Sequence, residues 1–128
     1  MSDYRTYTDN EVRARLATSL PHWLLEGGCL TRVFRTSGWK ASLMVVNAIG
    51  HLAETAWHHP ELALSYHGVT VKLYTRKAGG ITDRDFALAG KIEEVIGWQP
   101  AKEHSPLRGT PDRDGYRYLE HDDRLPDA

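Results

Sequence analysis

The chain has 128 residues, 41% of them hydrophobic and 26% charged, a balance that suits one folded globular domain and excludes wholesale disorder or a fibrous repeat. Its 16 Lys and Arg against 17 Asp and Glu leave a formal net charge of -1, which gives no global attraction for nucleic acid or an anionic membrane. No apolar run approaches the roughly 20 residues of a spanning helix, Met1 to Thr8 has no apolar centre, and Cys29 is the single cysteine, so a cytoplasmic protein without intrachain disulfides is expected, with Cys29 a small buried hydrophobe.

Thr8 and Asp9 offer N-cap chemistry to a helix expected from Asn10 to Leu20, and Pro21 ends it because the residue before a proline is pushed out of helical geometry. Trp23 to Glu26 and Leu30 to Arg35 are short runs of strand formers on either side of Gly27-Gly28, the pattern of a tight hairpin. Thr36-Ser37 then opens a proline-free stretch, Gly38 to His59, with the best-sustained helical periodicity in the chain. Along this central helix Leu43, Val46, Ala53 and Trp57 form one apolar stripe, and Val45, Ile49, Leu52 and Ala56 form a second. One sheet covers only one of them, so the subunit is expected to self-associate as a homodimer or homotetramer.

After Pro60, Leu62 to Tyr66 and Val69 to Thr75 alternate apolar with polar across His67-Gly68, as a half-solvated antiparallel hairpin does. Ala78-Gly79-Gly80 is a loop, and Thr82 with Asp85 caps a last helix that carries Phe86, Leu88, Ala89, Ile92, Val95 and Ile96. The order α-β-β-α-β-β-α specifies an α+β domain over residues 1–98, a four-stranded antiparallel sheet with three helices packed on one face. Residues 99–128 form a charged tail containing Pro and Gly, mostly mobile and interrupted by Tyr116-Arg117-Tyr118-Leu119.

Chemistry concentrates at the end of the central helix. Glu54 and His58 stand four apart, His51 lies further back on the same side, and His58 and His59 fall where the helix ends. Two readings are open for the histidines: general acid and base near neutral pH, or caps for the last helical carbonyls. His51, Glu54 and His58 have a spacing that can hold a metal, but no metal signature surrounds them and none is expected. Trp39, Trp57 and Trp98 read as core or interface anchors.

The string Glu54-x-x-x-His58-His59-Pro60, followed by Tyr66, Ala78-Gly-Gly-Ile-Thr-Asp-Arg-Asp85-Phe86 and a terminal amphipathic helix, resembles the pterin-4a-carbinolamine dehydratases from Trp23 to Ile96. The resemblance implies elimination of water from a 4a-hydroxytetrahydropterin without metal or organic cofactor. It implies that His58, His59 and the supporting acid Glu54 are catalytic, and that Trp23, Pro60, Arg76 and Asp85 bind the substrate. One position departs from the pattern: Thr75-Arg76-Lys77 stands where the dehydratases usually place a third histidine, and an arginine, protonated at every physiological pH, relays no proton.

A second resemblance is carried by Gly38-Trp-Lys, Leu43-Met-Val-Val-Asn-Ala-Ile-Gly50, Ala53-Glu-Thr-Ala-Trp-His-His-Pro60 and the tail Gly109-Thr-Pro with Tyr116-Arg-Tyr-Leu119. Together these are similar to the dehydratase-like proteins encoded with α-carboxysomes. That likeness implies a non-catalytic, chaperone-like assembly factor with Rubisco as partner and an association with the carboxysome.

Overall fold

The computed structural model describes residues 5–113 and 115–121. Its elements run α1 (Asp9–Ser19), β1 (Leu24–Glu26), β2 (Cys29–Arg35), α2 (Trp39–Ala56), β3 (Glu61–Ser65), β4 (Gly68–Leu73) and α3 (Asp83–Ile96), with short 3₁₀ turns at Arg76–Ala78 and Pro100–Lys102. This is the α+β order expected from the sequence. The four strands form one antiparallel sheet in the order β1-β2-β4-β3.

Local chemistry explains the boundaries. Thr8 and Glu11 close a capping box at the start of α1, and Thr82 and Asp85 close another at the start of α3, so each helix begins with its first amide groups satisfied. Gly27 and Gly28 take φ of 59° and 79°, the left-handed pair that joins two twisted strands in a two-residue turn. The second hairpin turns on Tyr66-His67 rather than His67-Gly68, and Gly68 already pairs in β4.

The sheet's covered face presents Leu30 and Phe34 from β2 opposite Leu73 and Val69 from β4, with Val71 between them. Against these lie Val12 and Leu16 of α1, Val45 and Ile49 of α2, and Phe86, Ala89 and Ile92 of α3, all buried. The central helix buries the stripe Ala41, Ser42, Val45, Ile49, Ala53. Of the other expected stripe, Leu43 and Trp57 are exposed, Val46 is half-buried and only Ala53 is buried; Trp39 and Met44 extend the exposed surface.

Part of the tail returns to the fold. Leu119 is buried and bridges to Thr36, Ser37 donates its amide to the carbonyl of Tyr118 at 2.9 Å, and Glu120 donates to Arg35 at 2.9 Å, so the segment lies against the end of β2. Residues 122–128 of the expected tail lie outside the described residues. Among the described residues, no helix is long and apolar enough to cross a membrane.

Candidate functional site

The central helix ends at Ala56, three residues before the sequence pattern suggested. Trp57 takes the left-handed conformation at φ 53°, the one non-glycine residue with positive φ among those described. Its amide bonds the carbonyl of Glu54 at 3.3 Å and the amide of His58 bonds the carbonyl of Ala53 at 3.1 Å, the paired reversal of a Schellman end. The two histidines therefore do not continue the helix. The expected helical pairing of Glu54 with His58 is replaced by two separate contacts, because the reversal sends consecutive side chains to opposite sides.

His58 turns inward. Its Nε2 lies 2.7 Å from Oδ1 of Asp85, whose carboxylate is fully buried, and the imidazole itself is 12% exposed. Oδ2 of the same carboxylate accepts from the Thr75 hydroxyl at 2.7 Å and from the Thr82 amide at 2.9 Å. Thr75 and Thr82 hydroxyls stand 2.8 Å apart, with the Thr82 oxygen also accepting from the Arg84 amide at 3.2 Å. Both neighbours of Oδ2 donate, so that oxygen is an acceptor, while Oδ1 holds the His58 ring through Nε2.

His59 turns outward and its Nε2 meets Oε1 of Glu54 at 2.8 Å in a solvated pair. The Trp57 ring packs edge-on against it, with centroids 4.9 Å apart. One histidine is thus fixed in the interior and its neighbour stands in solvent.

Both border one cleft of ≈ 390 Å³, within the range of small-molecule sites. Its walls come from the Trp57–His59 reversal, from Lys72 of β4 and Tyr74 and Thr75 just beyond it, from the turn at Arg76 and Lys77, and from Cys29 at the start of β2. Of the residues expected to bind substrate, Arg76 lines this cleft, whereas Asp85 reaches it only through His58. Trp23 is in the core, its Nε1 donating to Glu93 at 2.9 Å beside the Arg32–Glu93 ion pair, and neither Trp23 nor Pro60 lines the cleft. Cys29 is half-buried at the cleft wall, a correction to its expected place in the core, since β2 begins one residue earlier and turns that side chain to the sheet's open face. Tyr74 and Lys72 were not singled out from the sequence; their alternation with Val71 and Leu73 places them on that same open face.

His51 is exposed on α2, and no three His, Cys, Asp or Glu side chains converge to hold a metal among the described residues. A larger hollow of ≈ 870 Å³ lies between the end of α3 and the tail, bordered by Val95, Trp98, Leu107 and Tyr118. It contains neither member of the His58–His59 pair.

The family model described as pterin 4 alpha carbinolamine dehydratase matches residues 5–95. A protein of Aquifex aeolicus, provisionally assigned as a pterin-4-alpha-carbinolamine dehydratase, is 44% identical over 92 residues, covering 72% of this chain and 92% of the relative. One of Chloroflexus aurantiacus with the same provisional assignment is 39% identical over 90 residues, covering 70% and 96%. A crystal structure of a transcriptional coactivator/pterin dehydratase from Brucella melitensis superposes with a TM-score of 0.63 at 26% identity, covering 71% of this chain and 98% of that one.

Proposed function

The chain belongs to the pterin 4 alpha carbinolamine dehydratase family, and on that footing we propose that it eliminates water from a 4a-hydroxytetrahydropterin in the His58–His59 cleft. The observation that carries this reading is the division of labour between neighbouring imidazoles, one locked by Asp85 and the other solvated beside Glu54, on the wall of one small cleft.

The reaction breaks the bond between C4a and its hydroxyl oxygen, delivers a proton to that oxygen as water leaves, and removes a proton from a ring nitrogen, giving the quinonoid dihydropterin. His58 orients the ligand through the lone pair on Nδ1, which Asp85 fixes. His59 moves the proton, because an exposed imidazole re-equilibrates with solvent between turnovers. Arg76 contributes a fixed positive charge and hydrogen-bond donors, and Glu54 holds His59 in place. The hydro-lyase needs no metal or organic cofactor in this scheme.

The test is the absorbance decay of chemically generated 4a-hydroxytetrahydropterin with and without the protein. Acceleration that disappears in His59→Ala is expected; no acceleration at micromolar protein ends the reading.

A different observation favours a second reading, that of a chaperone-like binding protein with Rubisco as partner. The tail from Gln99 to His121 lies beyond the family match, yet docks through Leu119 and leaves Trp98, Leu107 and Tyr118 exposed around a broad hollow. Coexpression with Rubisco separates the two readings: a higher yield of assembled Rubisco that Leu119→Ser abolishes supports the second, and an unchanged yield removes it.

A further inference from the structure

We propose that the pterin taken by this cleft carries an anionic substituent, a phosphate monoester on its side chain, which Lys72, Arg76 and Lys77 hold at the rim. The proposal rests on the dehydratase reading above and specifies the substrate of that same site.

The evidence is a local imbalance of charge. The whole chain has 16 Lys and Arg against 17 Asp and Glu, yet the cleft is lined by Lys72, Arg76 and Lys77, with Arg84 engaged in a contact of its own, against the single carboxylate of Glu61. A solvated face of average composition would carry the two signs in near-equal number.

The nearby acids do not redress the balance. Asp83 is turned away to Tyr7 and Arg15, at 2.5 Å and 2.8 Å. Asp85 is buried beneath His58, and Glu54 is taken by His59. Glu61 faces Lys72 across the β3–β4 ladder and is the remaining acid. The side chains of Lys72, Arg76 and Lys77 have no hydrogen-bond or ion-pair partner among the described residues.

Like charges gathered around one concavity repel, and their field is a standing attraction for an anion. A pterin with an uncharged side chain offers hydrogen-bond acceptors but no countercharge to three cations. A phosphate monoester is close to a dianion at pH 7 and presents oxygens that suit the arginine fork and the lysine ammonium groups. The same cleft holds the rings of Trp57 and Tyr74, flat apolar surfaces suited to a bicyclic heterocycle. Heterocycle and anion are therefore recognised in one place by different residues.

Calorimetric titration of the full chain with 7,8-dihydroneopterin and with its 3′-phosphate tests this. The phosphate ester is expected to bind at least about tenfold tighter in ~50 mM salt, with the preference shrinking to about twofold in ~0.5 M salt as screening sets in. In Lys72→Gln/Lys77→Gln the ratio of the two affinities is expected to fall below about threefold. Equal affinities in low salt overturn the proposal and leave the dehydratase reading standing. If neither pterin binds, the proposal falls, and the dehydratase reading is decided by the absorbance decay alone. Inorganic phosphate that binds as tightly as the ester also overturns the proposal, because the cleft is then an anion site without pterin recognition.

Discussion

Asp85 has no surface of its own, yet it holds the His58 ring by one nitrogen: Oδ1 and Nε2 are 2.7 Å apart, and the Thr75 hydroxyl and Thr82 amide donate to the other oxygen of the same buried carboxylate. The residues lie 27 positions apart in the chain, so the start of α3 is tied to the end of α2 through the catalytic candidate itself.

Asp85→Asn is expected to invert that arrangement. The amide oxygen serves Thr75 and Thr82, the amide nitrogen then donates to His58 Nε2, and the ring proton moves to Nδ1. Nitrogen-15 NMR of the imidazole reads the tautomer directly. Stability falls by about 1–3 kcal/mol, the cost of weakening a buried polar network, as measured by urea denaturation.

His59→Ala removes the solvated acid-base group and leaves the interior untouched. Dehydration of a neutral 4a-hydroxytetrahydropterin is expected to slow by about 10²–10⁴ while the urea midpoint stays within error of the parent. An unchanged rate would show that His59 moves no proton in the reaction.

Arg76→His places a titratable group on the cleft wall where a fixed charge stands. The neutral substrate is expected to turn over about tenfold faster, part of the 10²–10⁴ that one acid or base group supplies. A lower rate contradicts the role assigned to Arg76.

Trp57→Gly separates stability from activity. The left-handed conformation at φ 53° costs an L-residue with a side chain about 1 kcal/mol, which glycine avoids, so the urea midpoint is expected to rise or hold. The rate is expected to fall, because the ring that packs on His59 is gone.

Low pH acts at a different place. The Tyr7 hydroxyl and the Arg15 guanidinium donate to Asp83 and hold its carboxyl below the usual carboxylate value. A depressed carboxylate contributes stability that is present above its unfolded value, about 3.9, and is lost as pH falls through the folded value. The urea midpoint of the parent is expected to exceed that of Asp83→Asn at pH 7 and to converge with it as pH falls through the carboxyl's lowered folded value. A gap that persists at low pH rules out this linkage.

Much of the fold is legible in the residues. Gly27-Gly28 requires a tight reversal, Thr82 with Asp85 announces a helix start, and the alternation Val69, Val71, Leu73 fixes the buried side of β4. The end of α2 is not legible, because its apolar spacing runs on through Trp57 and a bulky aromatic is an unusual choice for a left-handed cap. The histidine pair is visible as a motif, but the opposite turns of its members follow from that cap. The basic rim is invisible in one dimension: Lys72 comes from β4, Arg76 and Lys77 from a 3₁₀ turn and Arg84 from α3, so only folding gathers them. Leu119 reads as one apolar residue in a polar tail, and its burial depends on backbone pairing with Thr36 that no periodicity marks.

The position of Trp57 also has an optical consequence. Its indole is 70% exposed against the ring of His59, while Trp23 is sealed in the core with its Nε1 bonded to Glu93. Emission from the first is expected to respond to whatever enters the cleft and that from the second to report only unfolding. The difference spectrum between the parent and Trp57→Phe is thus a built-in, label-free signal of occupancy.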